Sequence, residues 1–225
     1  MTGLSESFRK ISIGAVAAFG ALAATASVIV KISADFELGM SKAAAVASGS
    51  SLAFGGAFKS MRKEAIKTAN TTIHTAKEVT GAMNFMAMAG FNAAEVIATV
   101  GEVAKLATAA NITMAESGNV LTNIMSTFGI TAVNVRSELT RTTAGMVDQG
   151  AVAQELGKQL TDVNNILVGV FTNSNVNVLQ LGEAFKIVGA VASAADVSLK
   201  DVAVSIGLLG NVGIQGTLAG TSLKR

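Results

Sequence analysis

Not one of the 225 residues of this chain is a proline. A proline inside a helix costs about 3 kcal/mol, so its absence favours long helices. Clusters of β-branched residues, such as 175–178, are too short to predict strands. The sequence therefore predicts an all-α fold. We expect long N-terminal helices, one of them apolar and a candidate for membrane insertion, followed by a bundle of short helices.

The chain also carries few charges. Hydrophobic residues make up 50% of it and charged residues 14%, whereas an ordinary soluble domain has about 25% charged residues. Because so little charge covers a water-facing surface poorly, we expect apolar surface to be buried in a membrane, in a partner protein or in further copies of the chain. The apolar residues are mostly small and include no Trp, Tyr or Cys, a composition that favours close helix–helix packing.

The run from Ile11 to Val30 contains no charged residue, and Lys31 follows it. A helix of that length spans about 30 Å, which matches the hydrocarbon core of a bilayer. Three interpretations stay open. The run is a transmembrane or membrane-inserting helix, a helix buried in an oligomer, or a secretory signal peptide with a cleavage-like site at Ala24-Thr25-Ala26.

Helical spacing of apolar residues predicts a long helical region over Ser33–Val79. We expect Gly49 and the pair Gly55-Gly56 to interrupt it. We divide the chain into residues 1–79, with apolar and amphipathic long helices, and residues 80–225, a helical core domain truncated at its C-terminal end. The two apolar stripes of the first region are Phe36, Met40, Ala43, Ala44 and Ala47, and then Phe58, Met61, Ala65, Ala69 and Ile73.

From Thr80 onward the chain contains explicit helix start signals. Asn92 to Glu95, Thr113 to Glu116 and Ser198 to Asp201 resemble capping boxes, in which a short polar side chain accepts a hydrogen bond from a free helix N–H. These signals and the apolar spacing predict helices at 81–89, 93–108, 114–128, 133–157, 161–172, 178–193 and 199–211.

A weak internal repeat accompanies these signals. Ala110 to Met114 precedes a helix that ends at Gly129-Ile130, and Ala195 to Leu199 precedes a helix that ends at Gly213-Ile214. Both segments combine a tight turn, a capped helix and a Gly-Ile pair, which indicates two related helical hairpins on either side of a middle segment.

Reactive side chains are sparse. His74 is the one histidine and lies in an amphipathic stretch, so we interpret it as a solvated helix residue. No cluster of His, Cys, Asp or Glu has the spacing of a metal site. The segment Gly55 to Ser60 lacks the glycine before lysine that a phosphate-binding loop needs. We therefore predict no catalytic, cofactor-binding or metal-binding residues and no cofactor.

Three further features of the sequence also have structural interpretations and indicate no chemical activity. We expect Gly207, Gly210 and Gly213 to allow close packing or to end a helix. Met83, Met86 and Met88 are interpreted as flexible apolar fillers. The net charge is only +2, and no basic run is interleaved with aromatic residues, so sequence-specific nucleic-acid binding is not expected.

From Thr80 to Arg225 the chain resembles the core of phage tail tape measure proteins of the lactococcal-phage TP901-1 type. The order and spacing of several small-residue stretches carry the resemblance, while Arg136 to Gln159 fits least well. The matching stretches are Met86 to Val96, Leu106 to Ala110, Thr172 to Asn175, Leu181 to Lys186 and, most clearly, Gly210 to Arg225.

The resemblance implies the N-terminal part of a molecular ruler. Such proteins lie in several copies along the growing tail, tail tube and tail assembly proteins polymerise around them, and chain length sets tail length. The resemblance further implies location in the virion tail lumen, in the bacterial cytoplasm during assembly, and contact of residues 11–30 with the host membrane during DNA ejection. No catalytic residue can be transferred from the family, which implies a protein that is not an enzyme.

Two other functions compete with this one. A membrane-active helical protein, such as a pore former or translocation domain, would explain Ile11 to Val30 but not the glycine pattern of the C-terminal segment. An α-helical interaction scaffold would explain the capped helices. An enzyme is disfavoured because no constellation of reactive side chains is present.

Overall fold

The structure is a computed structural model that describes residues 31–143 and 148–225. The predicted apolar run from Ile11 to Val30 lies outside the described residues. Every regular element in the described ranges is an α-helix, so the predicted all-α fold is confirmed. The chain divides into two units, residues 1–38 and Gly39–Arg225. The packing described below belongs to the second unit.

Residues 31–48 are helical and are named α1. The other helices are α2 (Ser51–Thr71), α3 (Ala76–Met88), α4 (Ala93–Ala110), α5 (Met114–Thr127), α6 (Ala132–Thr143), α7 (Gln149–Asn173), α8 (Val178–Ala194), α9 (Leu199–Asn211) and α10 (Gly216–Lys224).

The predicted interruption at Gly49 is confirmed, and the one at Gly55-Gly56 is wrong. Gly49 has a φ of 64° at the end of α1, and the hydroxyl of Ser50 caps α2. Gly55 and Gly56 lie within α2, on its exposed side, where no other atom crowds them. Since Ala57 and Met61 bury the opposite side of the same turns, packing holds this helix together through both glycines.

The two predicted apolar stripes differ in outcome. All five residues of the first stripe, from Phe36 to Ala47, are buried. In the second stripe Met61 and Ala65 are fully buried, but Ile73 is 79% exposed. Ile73 lies beyond Thr71, where α2 ends, so it no longer follows the helical spacing.

The predicted boundary between helices at 133–157 and 161–172 is wrong. The structure has α6 at Ala132–Thr143 and then a single helix, α7, across the expected break. The reason is that an apolar stripe continues through the predicted break. Leu160, which lies between the two predicted helices, is part of this stripe. The buried apolar residues of α7 are Val152, Ala153, Leu156, Leu160, Val163, Leu167 and Val170.

Around these elements the helices pack in hairpins. α4 lies against α7, α3 against α5, and α8 against both α5 and α10, while α9 contacts α7, α8 and α10. Leu121, Leu156 and Phe185 are fully buried at these contacts. The rings of Phe128 and Phe185 meet edge to face with centroids 5.8 Å apart, a favourable arrangement for an aromatic pair.

Glycines set the closest approaches between helices. A Cβ at Gly220 of α10 would lie 2.6 Å from the carbonyl oxygen of Ala184 in α8, and one at Gly182 of α8 would lie 3.0 Å from Val120 of α5. A Cβ at Gly189 would collide with Thr127. The expected close packing of small residues is therefore observed, and it concentrates on α8.

This packing predicts opposite effects for two glycine substitutions. Gly220→Ala forces backbone apart and should lower the free energy of unfolding by about 1–3 kcal/mol, as overpacked sites do. Gly55→Ala adds a methyl group to an open helix surface and should raise it by about 0.5–1 kcal/mol. Urea denaturation followed by circular dichroism measures both. A Gly220→Ala protein as stable as the parent would show that the α8–α10 approach is not tight.

Candidate interaction surface and the turns that position it

The turns between α4 and α5 and between α8 and α9 have the same conformation. Asn111 has a φ of 52° and Asp196 a φ of 55°, and they are the non-glycine residues with positive φ in the described part of the chain. Short polar side chains tolerate this left-handed conformation best. The residue after each donates its N–H to a carbonyl of the preceding helix, Ile112 to Ala107 at 3.0 Å and Val197 to Ala192 at 2.9 Å.

The second helix of each hairpin also ends in the same way. Gly129 follows α5 with a φ of 72°, and Gly213 follows α9 with a φ of 86°, a region that glycine enters without steric cost. The isoleucine after each glycine donates back, Ile130 to Met125 at 2.8 Å and Ile214 to Leu209 at 2.9 Å. The predicted repeat of tight turn, capped helix and Gly-Ile is thus present in the structure.

A register of 85 residues relates the starts of the two hairpins, whereas the glycines that end them, Gly129 and Gly213, are 84 residues apart because α5 has 14 residues and α9 has 13. Asn92 caps α4 and Asn177 caps α8, and both take part in complete capping boxes. The separation of these caps, 177 minus 92, is 85 residues, and the left-handed residues, 196 minus 111, are separated by the same number. The pair α4–α5 and the pair α8–α9 are therefore two copies of one structural unit.

One capping box is absent from the predicted helix starts. Thr75 and Glu78 form a capping box that starts α3 at Ala76, five residues before the predicted start at 81. The Thr75-x-x-Glu78 spacing is itself the signal. The predicted apolar stripe of the preceding helix extends to Ile73, and this stripe leaves no room for a helix start at Thr75.

The prediction that His74 lies in a helix is wrong. His74 lies in the turn between α2 and α3. Its Nε2 is 3.0 Å from the hydroxyl of Thr108 in α4, so the half-buried ring ties the turn to the neighbouring helix. Within residues 31–143 and 148–225, no group of three acidic, histidine or cysteine side chains is placed to hold a metal ion.

Two buried polar side chains join the middle segment to α4. The Glu95 side chain is 1% exposed, accepts a hydrogen bond from the Asn92 N–H at 2.8 Å, and lies 3.7 Å from the guanidinium of Arg136 in α6. Asn164 of α7 donates to the backbone carbonyl of Glu102 at 2.8 Å. Arg136, at the start of the segment that fits the family resemblance least, thus contacts α4 directly, and Asn164, just beyond that segment, does so too.

The glycines of α9 allow close contact or end the helix, as predicted. A Cβ at Gly207 would lie 2.9 Å from Val170 of α7, and one at Gly210 would collide with Val176. Gly213 ends the helix. Of the three methionines interpreted as fillers, Met83 and Met86 are buried, whereas Met88 is 57% exposed.

An apolar face of α9 remains uncovered. Val204, Leu208 and Val212, spaced four residues apart and hereafter the α9 outer face, are 43%, 64% and 73% exposed. The charged residues of α9, Lys200 and Asp201, are both in its first turn. Beside the face, a groove of about 140 Å³ runs between α7 and α9. Exposed apolar surface of this kind is typical of a protein interaction site.

A family model for phage-related minor tail proteins matches residues 62–225. This chain belongs to the phage-related minor tail protein family. It is also 26% identical over 199 residues to the tape measure protein of Pneumococcus phage Dp-1. The aligned region covers 88% of this chain and 15% of that protein. The resemblance inferred from the sequence is therefore confirmed. No solved structure matches the chain.

This minor tail protein spans only about 15% of the length of the curated relative it matches. Among the described residues, no helix of the tail protein is long and apolar enough to cross a membrane. What its geometry provides is a repeated, capped helical hairpin and, on α9, an exposed apolar face.

The capping boxes of this tail protein predict a pH dependence of stability. Hydrogen bonds from the backbone N–H of Thr113, 2.8 Å, and from its hydroxyl, 2.7 Å, lower the pKa of Glu116 below the ordinary glutamate value. Because the folded pKa is depressed, the stabilisation is complete above the unfolded pKa and is lost as pH falls through the folded pKa.

Glu116→Gln should therefore reduce the free energy of unfolding at pH 7, and the difference from the parent should shrink as pH drops below about 4.3, the unfolded glutamate value. Urea denaturation across about pH 2.5–7, a range that includes the titration of glutamate, measures this difference in the free energy of unfolding. The matched control is Glu183→Gln, at an exposed glutamate paired with Lys186 at 2.9 Å, because such surface pairs contribute little. A pH-independent difference for Glu116→Gln would contradict the box.

Proposed function

We propose that the chain is the N-terminal part of a tape measure protein that sets tail length and templates assembly of the tail tube. The observation that carries this proposal is the similarity to the tape measure protein of phage Dp-1 along 88% of the chain. The partners we propose are tail tube proteins, tail assembly proteins and further copies of the same chain. The role is structural and not catalytic, within the lumen of the virion tail.

The fold supports a specific place for this region within the ruler. An extended helix converts residues into length at about 1.5 Å each, but α4–α5 and α8–α9 fold back as hairpins. Such a region contributes little length for its residues. We propose that residues 80–225 form a folded core module of the protein, and that extended helices elsewhere in the longer protein measure the tail.

This division predicts two outcomes for in-frame deletions in the phage genome. Removing about 60 residues from an extended helical region outside this module should shorten the tail by about 90 Å. Removing α8 to α10 should not shorten tails in proportion to residues lost, because those helices are packed side by side. Tail lengths in negative-stain electron micrographs measure both.

The ruler proposal fails if tails keep their parental length after the extended-region deletion. It also fails in its present form if deletion of α8 to α10 shortens tails by the same distance per residue as the other deletion. The substitution Gly55→Ala, which leaves the number of residues unchanged, serves as the control for normal tails.

A second function is contact with the host membrane during DNA ejection, favoured by the uncharged run from Ile11 to Val30. We propose that this run inserts into a bilayer after release from the tail. Flotation with liposomes compares the full chain with a variant lacking residues 1–31. Equal flotation of the two proteins would remove the run from any membrane role.

A further inference from the structure

The helix α2 carries an excess of positive charge. Its four basic residues are all exposed and stand against one acid, Glu64, which leaves the helix with a net charge of +3, four minus one. The other described helices are close to neutral. Like charges four residues apart on a helix repel each other, and α2 contains two such pairs in succession. The basic residues are Lys59, Arg62, Lys63 and Lys67.

Two of these lysines depart from the way the chain pairs its charges. In five of the described helices a basic residue forms an ion pair with the glutamate three residues before it, as Lys67 does with Glu64 at 2.9 Å. Lys59 and Lys63 have no such glutamate, because a glycine and a serine occupy the positions three residues earlier. The other pairs of this kind are Glu102–Lys105, Glu138–Arg141, Glu155–Lys158 and Glu183–Lys186.

The helices packed against α2 do not supply the missing carboxylates. Both α3 and α4 contact α2, but their acids bond to other groups. Across residues 31–143 and 148–225, no ion pair involves Lys59 or Lys63. The acids of α3 and α4 are Glu78, which accepts from Thr75, Glu95, which lies beside Arg136, and Glu102, which pairs with Lys105.

The same side of α2 also carries an exposed apolar residue. Leu52, Gly56, Lys59 and Lys63 follow one another at steps of four, three and four residues, which places them on one line over about 17 Å of helix. This line is hereafter the α2 outer face. Leu52 is 98% exposed, and a Cβ at Gly56 would meet no other atom. Nothing bulky therefore stands between the leucine and the lysines.

A partner that covers this face has to offer negative charge and an apolar layer close together. The phosphate backbone of DNA offers the charge but no apolar layer for Leu52, and the face has no aromatic side chain on which a base could stack. An anionic membrane offers both, because its charged headgroups lie directly above acyl chains. Long lysine stems reach such headgroups while the helix stays close to the surface.

We propose that the α2 outer face is a docking surface for an anionic membrane. Lys59 and Lys63 contact the headgroups, Leu52 inserts among the upper parts of the acyl chains, and the glycines between them let the helix backbone approach. The helix lies on the membrane and does not cross it. This contact is separate from the proposed insertion of the run from Ile11 to Val30, because an uncharged run does not need anionic lipid.

Vesicle binding by the full chain measures this contact. The protein is titrated with vesicles of phosphatidylcholine alone and of phosphatidylcholine mixed with phosphatidylserine, and the bound fraction is determined by co-sedimentation. The first variant is Lys59→Gln with Lys63→Gln. Its matched control, Lys158→Gln with Lys186→Gln, removes the same charge at lysines that are paired with glutamates.

Removing Lys59 and Lys63 should lower affinity for the mixed vesicles about 25-fold, because each lysine near an anionic surface strengthens binding about fivefold. The control pair should lower it less than about threefold, since these lysines lie away from the face. Leu52→Gln should lower it about tenfold through the lost apolar contact, whereas Leu208→Gln, at another exposed leucine, should not. Circular dichroism verifies that each variant remains folded.

Three results would overturn the proposal. The first is equal binding of the parent to neutral and mixed vesicles, and the second is an equal loss for the α2 pair and the control pair. The third is tighter binding to a DNA duplex than to mixed vesicles, lost with the same two lysines, which would assign the face to nucleic acid. None of them bears on the tape measure role, which tail length tests, or on the apolar run, which deletion of residues 1–31 tests.

Discussion

The close approach of α8 to its neighbours is the contact on which the rest of the structure depends. Gly182 and Gly189 bring α8 against α5, and Ala184 receives α10 through Gly220. Since α5 belongs to the first hairpin and α8 to the second, this one helix joins the two structural units. A larger side chain at Gly182 or Gly189 would push the two units apart, so small residues at these positions are a packing requirement.

The few charges of the chain follow a pattern. Many charged residues lie at helix starts, as Glu78 and Glu116 do, or in short surface pairs such as Glu183–Lys186. The α9 outer face departs from this arrangement, because its apolar residues face solvent.

How much of this followed from the sequence depends on the kind of signal. Caps are local, so Asn92, Thr113 and Ser198 located the starts of α4, α5 and α9. Stripes need tertiary contact, so the polar pair Lys158-Gln159 looked like a break although Leu160 is buried within α7. The α9 outer face had no such signal, because a helix that is apolar on all sides does not reveal which side is covered.

The most direct test of this account is hydrogen exchange measured by mass spectrometry on the parent and on Gly189→Ala, in conditions where both keep their helical circular dichroism. If α8 joins the two hairpins, amides in α5 and in α10 should lose protection together, while Gly169→Ala, where an added Cβ meets no other atom, should change neither. Loss of protection confined to α8–α10, with α5 unchanged, would show that the two hairpins are stable separately and that the joint is not the foundation of the fold.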